Sequence, residues 1–140
     1  TTIMTNSAEN NGNIFGAVDY LNHKKDIINT GVTIKEYEGG ISYHGKSMTI
    51  DDDIAIVGSF NMDMRSAYID TELMLVINSK DINKQLKASM EEYEKKAATV
   101  KNETEYSHIP EGMKMKELSD KKKNIKAWFG WAMNGLRFLF

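Results

Sequence analysis

His44-Gly45-Lys46-Ser47-Met48-Thr49-Ile50-Asp51, followed after one short strand by Gly58-Ser59-Phe60-Asn61, is the stretch on which the reading of this chain turns. Side chains alternate along a strand, so His44 and Lys46 share a face and bring an imidazole beside an ammonium. Ser59 and Asn61 stand in the same i, i+2 relation just after a strand end, which can aim a hydroxyl and an amide at one point. No carboxylate is aimed at the centre of this set. An imidazole, an ammonium, a hydroxyl and an amide together suit an oxyanion, and phosphate is the obvious guest. The imidazole can attack phosphorus when neutral or protonate a leaving alkoxide when charged. Lys46, Ser59 and Asn61 would neutralise and orient the phosphoryl oxygens. This chemistry requires neither a metal nor another cofactor, and no metal-ligand cluster stands out. Asp51-Asp52-Asp53 comes nearest, but three consecutive acids in a tight turn are more often solvated.

Outward from this stretch, the elements alternate. Ile3 and Met4 lie in a short β-prone run, and Ile14, Val18, Leu21 and Ile28 recur at helical spacing. Lys24 and Lys25 suit the dipole at the end of that helix, and Gly31 stops it. Val32–Tyr37 alternates as a strand and ends at Gly39-Gly40, completing a strand–helix–strand unit most naturally parallel. Two short strands follow at 47–50 and 54–57, with Gly58–Ser66 as a loop. Thr71–Ile77 is a near-continuous apolar strand of the kind covered on both faces. A helix over 81–98 has Ile82, Leu86, Met90, Tyr93 and Ala97 on its inner face. The fold class is therefore α/β, a mixed sheet flanked by helices. Residues 1–98 form the main domain, 99–120 a polar linker or extended arm holding Pro110, and 121–140 a basic amphipathic helix.

Composition excludes several alternatives. The 140 residues suffice for one domain with a real core. Hydrophobic residues at 41% and charged residues at 27% are ordinary for a globular domain. A formal charge of -2 gives no global reason to expect nucleic acid as a partner. Without cysteine, disulfides, thiolate metal sites and cysteine nucleophiles are excluded. No run reaches the roughly 18 apolar residues of a spanning helix. The opening Thr1-Thr2-Ile3-Met4 reads as a chain entered partway through a longer protein.

The pattern His44-x-Lys46-x4-Asp51-x6-Gly58-Ser59-x-Asn61 resembles the HKD signature of the phospholipase D superfamily. The run Gly58-Ser59-Phe60-Asn61-Met62-Asp63-Met64-Arg65-Ser66 is similar to the GSFNLDPRS stretch of bacterial cardiolipin synthases, over roughly residues 1–98. Met62 and Met64 replace the usual leucine and proline, and Asp70 the usual asparagine, adding a negative charge near the site. The resemblance implies that Glu72, in Asp70-Thr71-Glu72, orients the imidazole and that Asp51 supports the fold of the site. Gly58, Asp63, Arg65 and Ser66 are likewise read as structural support. Such enzymes place two HKD motifs across a pseudo-twofold axis, one histidine as nucleophile and the other as general acid. This chain has one motif, and neither His23, on a helix, nor His108, in a loop, can stand in for the second.

The resemblance thus implies the C-terminal half of a cardiolipin synthase-like phosphatidyltransferase, transferring a phosphatidyl group between phosphatidylglycerol molecules through a phosphohistidine intermediate. His44 is then the proton donor and acceptor, and the second half-site comes from the same full-length chain. The setting would be the cytoplasmic side of the cell membrane, with the fragment itself soluble. Two other readings stay open: a single-motif phosphodiesterase or nuclease that completes its site as a homodimer, and a non-catalytic lipid-binding module. At the C-terminus, Ile125, Trp128, Phe129, Ala132, Met133, Leu136, Leu139 and Phe140 form one stripe. With Lys121, Lys122 and Lys123 beside it, that helix suits a membrane surface; burial against protein is the alternative.

Overall fold

The computed structural model describes residues 1–133 and Gly135. The readings that fall on Asn134 and on residues 136–140, including the last part of the C-terminal stripe, lie outside the described residues. The chain divides into two compact units, one of residues 1–43 and 93–135, the other containing residues 44–92.

In the first unit, β1 (Thr2–Asn6) pairs in parallel with β2 (Thr33–Tyr37) through α1 (Ile14–Asn29), as the strand–helix–strand pattern requires. Asn13 caps α1 by accepting from the amides of Phe15 and Gly16. Gly31, at φ 82°, closes the helix by donating to the Ile28 carbonyl at 3.0 Å. Val18, Ile34 and Ala98 are buried at the centre of this unit. Lys24, expected at the helix end for its charge, is instead buried and ion-paired with Glu36 at 2.8 Å. Tyr20 and Tyr106 each donate a phenol hydrogen to the same carboxylate. Burial, with the Glu36 carboxylate next, pushes both phenols well up from their ordinary range.

The segment after residue 94 differs from the expected helix and linker. The preceding helix ends at Glu94, and Ala97–Val100 forms β6, antiparallel to β2. Tyr106–His108 then forms β7, antiparallel to β6, giving a four-stranded sheet in the order β1-β2-β6-β7. His108 therefore lies on a strand rather than in a loop. The physical reason is side-chain size: Ala97 and Ala98 are buried in the sheet. Their helix-like composition conceals a strand held by tertiary pairing.

The second unit is an antiparallel meander of β3 (Ser47–Ile50), β4 (Ile54–Gly58) and β5 (Met74–Asn78), with α2 (Met64–Tyr68) and α3 (Lys80–Glu94). Five residues of the expected 58–66 loop region and its continuation are thus helical as α2, capped by Asp63. The β3–β4 turn places Asp51 at φ 49°, a left-handed conformation that aspartate tolerates better than most residues. Two polar side chains of α3 clamp that hairpin. Asn83 donates to the Ile54 carbonyl at 2.6 Å, and Lys87 to the Asp51 carbonyl at 2.5 Å and the Asp52 carboxylate at 2.8 Å.

The apolar stripe expected on the inner face of this helix is only partly inward. Leu86 and Met90 are half-buried, Ile82 and Tyr93 are exposed, and Asn83 is the buried position. The hairpin backbone needs hydrogen-bond partners, and the Asn83–Lys87 edge supplies them. β5 also begins later than expected, and Leu75 and Val76 on it are exposed within this chain.

Candidate active site

Register places the site at the open end of the β3–β4 hairpin. Ser47 pairs with Val57, so Lys46 comes opposite Gly58, whose amide donates to the Lys46 carbonyl at 3.0 Å. Asp51 lies at the other end of β3, five residues from Lys46 and so about 17 Å away at a strand's rise per residue. It shapes the turn and offers its carbonyl to Lys87.

His44 and Lys46 come together as their spacing requires. The Lys46 ammonium lies 2.8 Å from His44 Nε2 and donates to the His44 carbonyl at 3.1 Å. A charged ammonium has only hydrogens to offer. It therefore assigns Nε2 as the acceptor and places the imidazole proton on Nδ1. The imidazole itself is exposed.

Ser59 leaves β4 immediately after a glycine that the sheet demands. A Cβ at Gly58 would lie 2.1 Å from the Leu73 carbonyl oxygen and 2.4 Å from Met74 Sδ. The close approach lets Ser59 N donate to Leu73 O at 3.0 Å, while Leu73 N donates back to Ser59 Oγ at 3.1 Å. Ser59 Oγ in turn donates to Glu72 Oε2.

Glu72 is the hub of the neighbouring loop. Its other oxygen accepts from Ser66 Oγ at 2.7 Å. Ser66, buried at the first turn of α2, also accepts from Asn61 N at 3.2 Å and Asn61 Nδ2 at 3.4 Å. The Ser66 amide donates to Asp63 Oδ1 at 2.7 Å. The Ser59 and Ser66 hydroxyls, with a smaller contribution from the charge of Lys46, hold the Glu72 carboxyl below its ordinary range. Among the described residues, the hydrogen-bond partners of Glu72 are these two serines, and the imidazole is bonded to Lys46.

Arg65 and Asp70 form a local pair, with Arg65 Nε 3.1 Å and 3.0 Å from the two carboxylate oxygens. The negative charge that Asp70 brings near the site is therefore balanced by an arginine five residues earlier. The link that Ser66 makes between Glu72 and Asn61 is not among the contacts the sequence pattern implies. The signal was present in the short interval between Asp63 and Ser66, an N-cap spacing that makes the serine the inward residue of a short helix.

Comparison with known proteins accords with this geometry. A family model described as "Cardiolipin synthase, PLD-like domain" matches residues 2–93. Cardiolipin synthase A of Wigglesworthia glossinidia brevipalpis is 35% identical over 68 residues, covering 49% of this chain and 14% of that protein. Cardiolipin synthase A of Yersinia pseudotuberculosis is 33% identical over 78 residues, covering 56% of this chain and 16% of the relative. The chain therefore aligns with only a small part of the length of these relatives. The crystal structure of a phosphatidylserine synthase from Haemophilus influenzae Rd KW20 superposes with a TM-score of 0.71 at 13% identity, over 99% of this chain and 35% of the other. At that identity the likeness is one of fold, and it fits a half-domain of a larger protein. The family match spans most of the chain and every residue from His44 to Glu72: this chain belongs to the phospholipase D-like domain family of the cardiolipin synthases.

Proposed function

We propose that the chain is the C-terminal catalytic half of a phosphatidyltransferase that moves a phosphatidyl group from one phosphatidylglycerol to the hydroxyl of another, releasing glycerol. The observation that carries this reading is the contact between Lys46 Nζ and His44 Nε2, at 2.8 Å, at a strand end beside the Ser59–Asn61 loop. It supports a site where an arriving phosphodiester anion draws the ammonium onto its own oxygens and leaves Nε2 to handle protons. A second half-site, supplied by the rest of the full-length protein, contributes the nucleophilic histidine. The setting is the cytoplasmic face of a cell membrane.

In the first step the partner histidine forms a bond to phosphorus as the bond to the glycerol oxygen breaks. His44, having taken up a proton from solvent at Nε2 once Lys46 has turned to the phosphodiester, gives that proton to the oxygen. In the second step neutral His44 takes the proton from the hydroxyl of another phosphatidylglycerol. The resulting oxygen displaces the partner histidine from phosphorus, restoring both side chains. Lys46, with the amide of Asn61 and the hydroxyl of Ser59, balances charge on the phosphoryl oxygens. Glu72 orders the two serines, and the Arg65–Asp70 pair and the Asp63 cap hold the loop that carries them.

The test is His44→Ala in the full-length protein, with lipid products separated and weighed by mass spectrometry. Loss of general acid–base catalysis lowers transfer by about 10²–10⁴-fold, with the circular dichroism spectrum unchanged. A well-folded variant that keeps most of its transfer refutes the assignment. Release of free phosphatidic acid by the unmodified protein, with no transfer to an alcohol, refutes the transferase reading.

A further inference from the structure

Among the described residues, α4 (Asp120–Met133) is fastened to the first unit along the side that carries Lys122 and Gly130. Lys122 is buried there, and its ammonium donates to the carbonyls of Ala8 at 2.8 Å, Glu9 at 2.6 Å and Asn11 at 2.9 Å. Two turns on, Asn22 of α1 donates to the Gly130 carbonyl at 2.8 Å. These two anchors fix the rotation of the helix about its axis. Of the three consecutive lysines, Lys122 is thus structural, whereas Lys121 and Lys123 are exposed.

The opposite side carries Lys121, Asn124, Trp128 and Trp131, an i, i+3, i+7, i+10 stripe that stays on one face of a helix. Trp128 is 76% exposed and Trp131 80%. At roughly 100° per residue, Lys121 and Lys123 fall about 80° to either side of the direction of Trp131. Two indoles held out in water suit a protein contact as well as a lipid one, and the ammonium groups that flank them decide between the two, since lysine is depleted at the core of protein interfaces. The same arrangement matches the lipid headgroup layer, where an indole puts its ring among acyl carbons and its N–H among polar groups. Lysines beside it meet phosphates.

We propose that the outer face of α4 docks on a bilayer containing anionic phospholipid, with Trp128 and Trp131 entering the headgroup region and Lys121 and Lys123 contacting lipid phosphates. It rests on the reading that the protein acts on phospholipid at a membrane, and it adds the surface that brings the domain there. Because Trp128 and Trp131 are the chain's two tryptophans, its indole fluorescence reports on this face alone.

The chain is mixed with vesicles of phosphatidylglycerol in phosphatidylcholine, or of phosphatidylcholine alone, some carrying brominated acyl chains. The expected result is a blue shift and bromine quenching with the anionic vesicles, and flotation with them that falls as salt rises. Trp128→Ser with Trp131→Ser abolishes flotation. Lys121→Gln with Lys123→Gln weakens it roughly 25-fold, about fivefold per charge. All four positions are exposed, so melting temperatures stay unchanged. In the full-length protein, the tryptophan variant is expected to lose turnover on vesicles and keep it on a short-chain substrate below its micelle concentration. That second arm separates the two readings: absent turnover on either substrate by the unmodified protein defeats the enzymatic reading, while vesicle binding still stands. Unchanged fluorescence with anionic vesicles, or equal binding to both vesicle types, overturns the proposal. So does turnover on vesicles that the tryptophan variant fully retains, which would point to a protein segment covering this face.

Discussion

Replacing Lys24 with methionine isolates the contribution of the buried charge cluster to the four-stranded sheet. Methionine keeps most of the length and apolar stem of lysine, so the substitution deletes a charge more than a volume. What it strands is the Glu36 carboxylate. The Lys24 and Glu36 side chains are only 5% and 3% exposed, and their contact is 2.8 Å. Removing one partner of such a pair costs about 3–5 kcal/mol, because the other charge stays buried without compensation. Here Tyr20 at 2.6 Å and Tyr106 at 2.5 Å continue to donate to Glu36, which places the loss toward the lower end, about 3 kcal/mol. For a chain of this length that corresponds to a fall of roughly 10 °C in melting temperature. Urea denaturation at neutral pH reads the loss directly. The double variant Lys24→Met, Glu36→Gln removes the stranded charge while leaving an acceptor for a phenol, and is expected to recover part of the stability. A single variant within about 0.5 kcal/mol of the parent, the usual range of a neutral surface change, would refute the reasoning. So would a double variant less stable than Lys24→Met alone.

Gly58→Ala forces a methyl to within 2.1 Å of the Leu73 carbonyl, so β4 and β5 must separate at the site end; the expected loss is about 1–3 kcal/mol or more, read as a lower urea midpoint. Asn6→Ala deletes the amide that donates to the Tyr43 carbonyl at 2.8 Å and accepts from the Tyr43 amide at 2.7 Å. At about 1 kcal/mol for each bond, exchange of the Tyr43 amide hydrogen should quicken roughly 30-fold. Glu72 has its carboxyl held below the usual 4.5 by the serine hydroxyls. Its ordering of the loop is therefore complete above that ordinary value and is lost as pH falls through the lower folded-state value. Amide shifts of Asn61 and Ser66 are expected to stay flat from pH 8 to 5 and move below it, and Glu72→Gln should remove that acid step. The same variant is expected to lower turnover by roughly 10²-fold at most, through misplacement of the loop rather than loss of a reacting group.

The short-range parts of this protein were legible in its sequence. Alternation put His44 and Lys46 side by side, and the i, i+3, i+4 spacing of α1 with Gly31 behind it marked a helix and its end. Legibility failed where a tertiary partner decides the outcome. Ala97-Ala98 reads as the end of a helix, and becomes β6 because Tyr37 and Glu36 present an unpaired strand edge to it. Lys24 reads as a surface charge at a helix end, and is buried because Glu36 on the adjoining strand needs a cation. Lys122 belongs to a cluster that reads as charge for a membrane surface, yet three loop carbonyls claim it. The partners of Glu72 were hidden for the same reason, since α2 is five residues long and has no periodicity to announce it.

The hydrogen-bond inventory of the site also constrains what it can offer a phosphate before anything moves. Ser59 Oγ has one hydrogen, already given to Glu72, and it accepts from Leu73 N. Ser66 likewise gives its hydrogen to Glu72. The Asn61 side chain has two amide hydrogens, of which one is directed at Ser66. Among the described groups of the site, Lys46 with its three hydrogens, the Asn61 amide and the Nδ1 hydrogen of His44 can turn to an incoming anion without breaking a bond to the carboxylate, and of these Lys46 carries the charge. The first contact in the proposed reaction therefore belongs to Lys46, and making it loosens the ammonium from Nε2 of His44. Ser59 can join only by leaving Glu72, an exchange of one anionic acceptor for another that costs little in hydrogen bonding. Repulsion between the phosphate and an ionised Glu72 opposes the approach, and Lys46 lies where it attracts both. On this argument Lys46 does more than balance the phosphate: it couples arrival of the substrate anion to release of the imidazole nitrogen that must then carry the proton.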